Sequence, residues 1–281
     1  MSASRTPIPV SAIGPTRRRR FAARAGPYVL VLAVLALWEV GVRIGGVPAY
    51  LLPTPSSIIR RIVTDWRPLL GHTAVTTGEI LAGYLLAVVI SIPLAALLAR
   101  FRPLETAVYP LLVASQTIPK VAIAPLLVVW FGFGLLPKIL IVFLICFFPI
   151  VVDALVGFRS VPREVLWLAR SMGASQWKTF RKISIPAALP HLFAGLKVAG
   201  TLAVVGAVVG EFVAADRGLG YQLIVANGVM DVQLSFALLL MLSALGVLLN
   251  ALLEVLERAA LPWHVSQRVG VGAHAATGAR A

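Results

Sequence analysis

Residues 137–157 read PKILIVFLICFFPIVVDALVG, an apolar run interrupted only by the charged residues Lys138 and Asp153. Its length matches the roughly 20 residues that a helix needs to cross the hydrocarbon core of a bilayer. The whole chain has the same character, since 59% of its 281 residues are hydrophobic and only 13% are charged. Soluble domains are about half apolar and about a quarter charged. The sequence therefore predicts an all-α, polytopic membrane helical bundle.

Five further segments are apolar enough and long enough to cross a membrane, which predicts six transmembrane helices with the quoted stretch as the fourth. The other predicted spans are 28–47, 73–99, 106–131, 191–213 and 232–257. Residues 1–26 carry the run Arg17 to Arg20 and are predicted to be a disordered basic tail. Residues 27–263 form the predicted membrane domain, with a core at 70–260, and 264–281 a C-terminal tail.

Basic residues are distributed unevenly along this predicted topology. The formal net charge is +14, and 17 of the 25 Lys and Arg lie on the tails and on alternate loops. Five are assigned to the other loops: Arg60, Arg61, Arg67, Lys138 and Arg217. Because positive residues accumulate on the cytoplasmic side of membrane proteins, both termini are predicted to be cytoplasmic. The same charge makes membrane lipid a more fitting partner than nucleic acid.

Catalytic and metal-binding patterns are not found in the sequence. A phosphate-binding loop needs Gly-x-x-x-x-Gly-Lys-Ser/Thr, and no lysine in this chain follows a glycine. The lone cysteine, Cys146, excludes an internal disulfide, and the four histidines have no metal-ligand spacing. We therefore predict no catalytic residue, no metal site and no bound cofactor.

The loop 159–190 is the only long polar segment on the predicted cytoplasmic side. Ser160 is a predicted cap for a helix that begins near Arg163, and Gly173 is predicted to end that helix in the left-handed conformation. Ser175 is predicted to cap a second short helix. The pattern predicts a helix–glycine–helix elbow at the membrane surface, and the alternative is an interfacial amphipathic loop that binds lipid headgroups.

This elbow resembles the EAA loop of permease subunits from binding-protein-dependent ABC importers. In that family Glu-Ala-Ala is followed by three residues, a Gly, nine residues and Ile-x-Leu-Pro. Here Trp167-Leu168-Ala169 precede Gly173 and then Ile183-Ser184-Ile185-Pro186, with Trp167, Leu168 and Ile185 departing from the pattern. Further short motifs resemble one branch of this family, which imports sulfonate, taurine, nitrate, bicarbonate and thiamine- or riboflavin-precursor compounds. These motifs lie at residues 52–55, 116–119, 125–134, 147–149 and 218–221.

The resemblance implies a division of labour between subunits. The permease forms the membrane pathway, usually as a homodimer; a separate ATPase pair binds the ATP, and an extracytoplasmic binding protein delivers the solute. The elbow is then the coupling helix, which docks on the ATPase. The resemblance implies that seven residues of the elbow couple the permease to the ATPase: Arg163, Glu164, Trp167, Ala169, Arg170, Gly173 and Ala174.

Polar residues within the spans are the candidates for contact with the solute. Charges at bilayer depth are costly, so they usually face protein or water. The candidates are Gln116, Lys120, Asp153 and Glu211, each with a structural role as the alternative, and Glu39, Glu79 and Lys197 are predicted to be structural.

Small residues recur every fourth position in two spans, from Gly83 to Ala99 and from Gly195 to Ala207. Such faces let helix backbones approach closely, which predicts packing within the chain or, as the alternative, a homodimer seam.

A stand-alone secondary transporter or channel is the alternative function. It would move solute without an ATPase, and it would be expected to show inverted repeats, which this sequence lacks. The scattered charges argue against a membrane-embedded enzyme.

Overall fold

The computed structural model describes residues 17–262, with side chains from residue 29 onward. Helices account for nearly all of this part of the chain, and no strand occurs in it. The helices are α1 (Arg17–Ile44), α2 (Pro55–Thr64), α3 (Trp66–Arg100), α4 (Arg102–Gln116), α5 (Lys120–Phe131), α6 (Leu135–Arg159), α7 (Arg163–Ser171), α8 (Gln176–Thr179), α9 (Ile185–Ala214), α10 (Leu219–Gly228) and α11 (Val232–Ala260). The predicted all-α membrane bundle is confirmed.

Four helical segments of the described chain are long and apolar enough to cross a membrane: α3, α6, the segment Gln176–Ala214 and α11. A fifth is possible if α4 and α5 form one broken span, because the two are bent by 94° at residues 117–119. The span predicted at 106–131 corresponds to this bent pair, and its crossing of the membrane stays a prediction. Pro119 stands just before α5, and a proline disfavours helical geometry at the residue before it.

The N-terminal helix begins earlier than predicted. The helical backbone of α1 starts at Arg17, inside the segment expected to be a disordered tail, and ends at Ile44. Side chains are described only from Val29, so the crossing predicted at 28–47 stays a prediction. The rest of the N-terminal tail and the C-terminal tail at 264–281 lie outside the described residues.

The core of the bundle is α6, which packs between α3 and α9. Both faces that meet it are lined by small residues: Gly83, Ala87, Ser91 and Ala95 on α3, and Gly195, Ala199, Ala203 and Ala207 on α9, are all buried. The absence of a side chain lets backbones touch. An added Cβ at Gly206 would lie 3.0 Å from the Cα of Val142. Both small-residue faces thus serve packing within the chain.

Helix α2 lies at the end of the bundle away from the elbow, and the Thr54-Pro55 motif determines where it begins. Thr54 accepts a hydrogen bond from the Ser57 N–H at 3.3 Å, and Pro55 occupies the first helical position. A threonine cap followed by proline is a strong start signal for a helix. Arg61 then bridges to Asp231 at 2.9 Å, which fastens α2 to the start of α11.

We expect Gly83→Val to destabilise the bundle. A Cβ at this position would lie 2.7 Å from Val142 Cγ1 and 2.8 Å from the Ile139 carbonyl oxygen. Overpacking of this kind costs about 1–3 kcal/mol. Thermal unfolding in detergent, followed with a thiol-reactive dye, measures it, because the single cysteine, Cys146, is buried.

The matched control is Gly78→Val in the same helix, where an added Cβ meets no atom within 4 Å. Equal melting temperatures for the two variants would contradict the close packing of α3 on α6.

Candidate functional site

The elbow is built from α7, a glycine turn and α8. Gly173 has φ +78°, its N–H donates to the Arg170 carbonyl at 2.9 Å, and the Ala174 N–H donates to the Ala169 carbonyl at 3.0 Å. This pair of bonds is the Schellman arrangement that ends a helix. The predicted left-handed glycine is confirmed, and it fixes the direction in which the chain leaves α7.

The two predicted serine caps have different outcomes. Ser175 accepts a hydrogen bond from the Lys178 N–H at 3.3 Å and caps α8 as predicted. Ser160 does not cap α7, because its hydroxyl donates back to the Gly157 carbonyl at 2.8 Å. Ser160 lies in the turn that ends α6, so the nearest carbonyl belongs to its own helix. The residue before α7 is Pro162, which offers no side-chain cap.

One face of α7 is apolar and has no partner within the described chain. Val165, Leu168 and Met172 are 41%, 61% and 79% exposed. Trp177 on α8 is 69% exposed. A contiguous apolar surface outside the lipid-facing spans marks an interaction site.

The remaining residues assigned to coupling surround this face. Glu164 is exposed in the first turn of α7, Ala169 and Ala174 are half-buried, and Arg163, Trp167 and Arg170 border a cavity beside the ends of α3 and α6.

The elbow is attached firmly to the bundle. A π-helical turn, Phe180–Ser184, joins α8 to α9 without a break in the helical backbone. The Phe158 ring at the end of α6 stacks on Phe180 with centroids 5.7 Å apart, and Arg100 at the end of α3 hydrogen-bonds Gln176. All three core helices therefore reach the elbow.

The four candidate pathway residues are not brought together. Gln116 is exposed at the end of α4 and Lys120 is half-buried at the start of α5, so both lie at the 94° bend. Asp153 faces α9, where an added Cβ at Gly195 would lie 2.6 Å from the Asp153 Cβ. Asp153 thus sits in a helix contact.

Glu211 is buried in a network that holds the start of α10. Its Oε1 accepts from the Thr76 hydroxyl at 2.6 Å, and its Oε2 accepts from the Gly220 and Tyr221 N–H groups. The carboxylate therefore satisfies free N–H groups at a helix N-terminus, where negative charge is favoured. In this conformation Glu211 has a structural role, which was the alternative to its place in the pathway.

A buried ion pair joins α3 to α6. Lys138 Nζ lies 2.5 Å from Glu79 Oε1, and both residues are buried. The sequence predicted a structural Glu79 but counted Lys138 among the basic residues of an outer loop, which is wrong. Lys138 stands in the first turn of α6, at the edge of the apolar run, so its position alone did not distinguish a loop from a helix.

The other two charges predicted to be structural also have partners. Lys197 pairs with Glu257 between α9 and α11. Glu39 accepts hydrogen bonds from the Ser56 N–H at 3.0 Å and from Arg43, which ties α1 to α2. Among the residues that the structure describes, no group of three His, Cys, Asp or Glu side chains has the arrangement of a metal site.

We expect Lys138→Met to lower the free energy of unfolding by about 3–5 kcal/mol, because it leaves Glu79 buried without its charge partner. The double variant Glu79→Leu/Lys138→Met removes both charges and is expected to recover most of that loss. Thiol-dye melting at Cys146 measures each variant. A double variant that is less stable than Lys138→Met would contradict the unpaired Glu79 carboxylate as the cause of the loss.

The chain matches known proteins along most of its length. Residues 87–261 match the family described as binding-protein-dependent transport system inner membrane component. The riboflavin transport system permease protein RibX of Chloroflexus aurantiacus is 40% identical over 92% of this chain and 98% of its own. The formylaminopyrimidine transport permease protein ThiX of Halalkalibacterium halodurans is 39% identical over 86% of this chain and 96% of its own.

A more distant relative is the putative aliphatic sulfonates transport permease protein SsuC of Bacillus subtilis, 29% identical over 89% of this chain and 91% of its own. Among solved structures, a chain of the MetNI methionine ABC transporter in an inward-facing conformation superposes with a TM-score of 0.62 at 22% identity. The match covers 70% of this chain and 97% of that chain, and it shows a shared fold.

Proposed function

The chain belongs to the family of binding-protein-dependent transport system inner membrane components, and we propose that its elbow is the segment through which a separate ATPase drives it. The protein is a permease subunit of an ATP-driven ABC importer and forms the membrane pathway rather than catalysing a reaction. Membership of this family implies an ATPase and a solute-binding protein as partners. A stand-alone secondary transporter or channel is set aside.

The observation that carries the coupling proposal is the unpartnered apolar face of Val165, Leu168 and Met172 on a helix that the Gly173 turn joins to α8. The Gly173 turn joins α7 to α8, and α8 continues into α9 and contacts the ends of α3 and α6. A push on the exposed face of α7 is therefore passed through α8 to the core. Switching between two bundle states by rigid-body movement needs such a connection. Because ATP is cytoplasmic, this docking requires the elbow to face the cytoplasm. With the six spans predicted from the sequence, both termini then lie on the same side of the plasma membrane as the elbow. The excess of basic residues in these segments favours that orientation.

We expect Gly173→Val to uncouple solute transport from ATP hydrolysis. A β-branched residue is strained at φ +78°, so the variant must change the angle between α7 and α8. The measurement is solute-stimulated ATP hydrolysis, together with uptake, by the importer reconstituted with its ATPase and binding protein.

Gly173→Asn is the matched control, because asparagine tolerates the left-handed conformation. We expect it to keep most of the coupling. A Gly173→Val importer that assembles and transports at the wild-type rate would contradict the proposed role of the elbow.

We propose that the solute is a heterocyclic vitamin or vitamin precursor of the riboflavin or aminopyrimidine type. Sequence identity to the relatives supports this solute class. The permeases named for riboflavin and formylaminopyrimidine are 40% and 39% identical to this chain, whereas the one named for aliphatic sulfonates is 29% identical. A small anion of the sulfonate, taurine or nitrate type is the competing solute class.

We propose that the bend between α4 and α5 faces the pathway and a second copy of this chain. Gln116 is exposed there and Lys120 is half-exposed, and groups this polar do not face lipid without a large cost. A homodimer would cover the bend, and a water-filled path between the two copies would hydrate the lysine.

Uptake into proteoliposomes tests the solute and the bend together. With the cognate binding protein and ATPase, we expect ATP-dependent uptake of radiolabelled riboflavin or aminopyrimidine, and no uptake of taurine. Lys120→Gln is expected to change the KM for uptake or its maximal rate while assembly is kept.

The matched control is Arg60→Gln, which removes an exposed cation on α2, a helix that packs on α11 rather than on α4 or α5. Preferred uptake of taurine would overturn the solute class, and unchanged kinetics in Lys120→Gln would remove Lys120 from the pathway. The mass of the permease in the assembled importer, at two copies of 29.9 kDa or at one, tests the homodimer.

A further inference from the structure

A cavity of about 600 Å³ lies at the elbow end of the bundle. It is an open cleft lined by the last turns of α3 and α6, the start of α4, and residues of α7, α8 and the π-helical turn. Five arginines line it: Arg100, Arg102, Arg159, Arg163 and Arg170. The apolar part of the lining includes Phe158, Trp167 and Phe180.

The positive charge of this cavity is not balanced by the part of the chain that the structure describes. Arg159 pairs with Glu105, and Arg100 hydrogen-bonds Gln176. Within residues 29–262 the other three arginines make no side-chain hydrogen bond or ion pair, and no carboxylate is found among the lining residues. Guanidinium groups brought together in this way repel one another unless an anion lies between them.

The chemistry of the lining suits a phosphate group. Arginine presents a planar fork of N–H donors that binds phosphate oxygens in pairs, and several arginines on different helices can surround one phosphate. The Ser184 hydroxyl lines the same cavity and adds a neutral donor.

The position of the cavity favours a lipid as the source of that phosphate. Its walls include Arg100 and Arg159, the last residues of two membrane-spanning helices, so it lies at the depth of the headgroups. A second cavity of about 440 Å³ shares Arg102 and Arg159 with the first and continues along α4. Its lining includes Glu105, which is paired with Arg159, and continues past Thr106, Tyr109 and Pro110 toward the membrane interior. A headgroup site that opens into a groove along a membrane helix has the form of a phospholipid.

We propose that an anionic phospholipid places its phosphate among Arg102, Arg163 and Arg170 and lays an acyl chain along α4. The bound lipid would join the start of α4 to α7, two helices between which no ion pair is found among the described residues. This inference goes beyond the coupling role, because lipid binding requires neither ATP hydrolysis nor a solute.

Native mass spectrometry of the assembled importer, titrated with phosphatidylglycerol or with phosphatidylcholine, tests the proposal. We expect saturable binding that prefers phosphatidylglycerol, and Arg102→Gln is expected to weaken it about fivefold, since one basic residue contributes about 1 kcal/mol to binding of an anionic lipid. Arg170→Gln is the second variant, with the same expected loss. Thiol-dye melting at Cys146 verifies that each variant is folded.

The matched control is Arg181→Gln, which removes one exposed positive charge close to the elbow but outside the cavity lining. We expect it to leave the affinity for phosphatidylglycerol unchanged. Equal binding of the two lipids, or equal losses in Arg102→Gln and Arg181→Gln, would overturn the site. Displacement of the lipid by inorganic phosphate would overturn the lipid as its occupant. Binding to the permease alone that is lost when the ATPase joins would assign the cavity to ATPase carboxylates instead.

Discussion

The close approach of α6 to α3 and α9 is the constraint on which the rest of this structure depends. Lipid offers apolar side chains no hydrophobic reason to associate, so the core must be held by van der Waals packing and by polar contacts. Glycine and alanine on α3 and α9 bring the three backbones into contact. The Glu79–Lys138 pair forms within this contact, and the Glu211 network forms beside it, where α3 and α9 meet α10.

Because the elbow is connected to this tightly packed core, a movement of the elbow is transmitted to the membrane helices. A flexible loop would absorb a push from a partner protein, whereas the elbow continues into α9 and touches the ends of α6 and α3. The glycine at 173 fixes the geometry of the turn without an added side chain, since its left-handed φ needs none. The exposed apolar face of α7 is thereby held in one orientation relative to the membrane helices, as a docking surface requires.

Features that depend on local chemistry could be predicted from the sequence, and features that depend on long-range pairing could not. The left-handed Gly173, the Ser175 cap and the small-residue faces follow from residues close together in the chain. Lys138 was misplaced because its partner, Glu79, is 59 residues away and only the fold brings them together. The bend at 117–119 was missed because hydropathy averages over a window and does not register a change of direction.

The measurement that tests the central claim most directly is disulfide or bifunctional cross-linking from the elbow to the ATPase. In a Cys146→Ala background, which removes the native cysteine, Leu168→Cys places a thiol on the exposed face of α7. Val63→Cys, 66% exposed on α2 at the opposite end of the bundle, is the control. We predict that only Leu168→Cys cross-links to the ATPase and that the bond arrests ATP-driven uptake. An assembled, active importer in which Leu168→Cys forms no cross-link, or in which Val63→Cys does, would contradict the account.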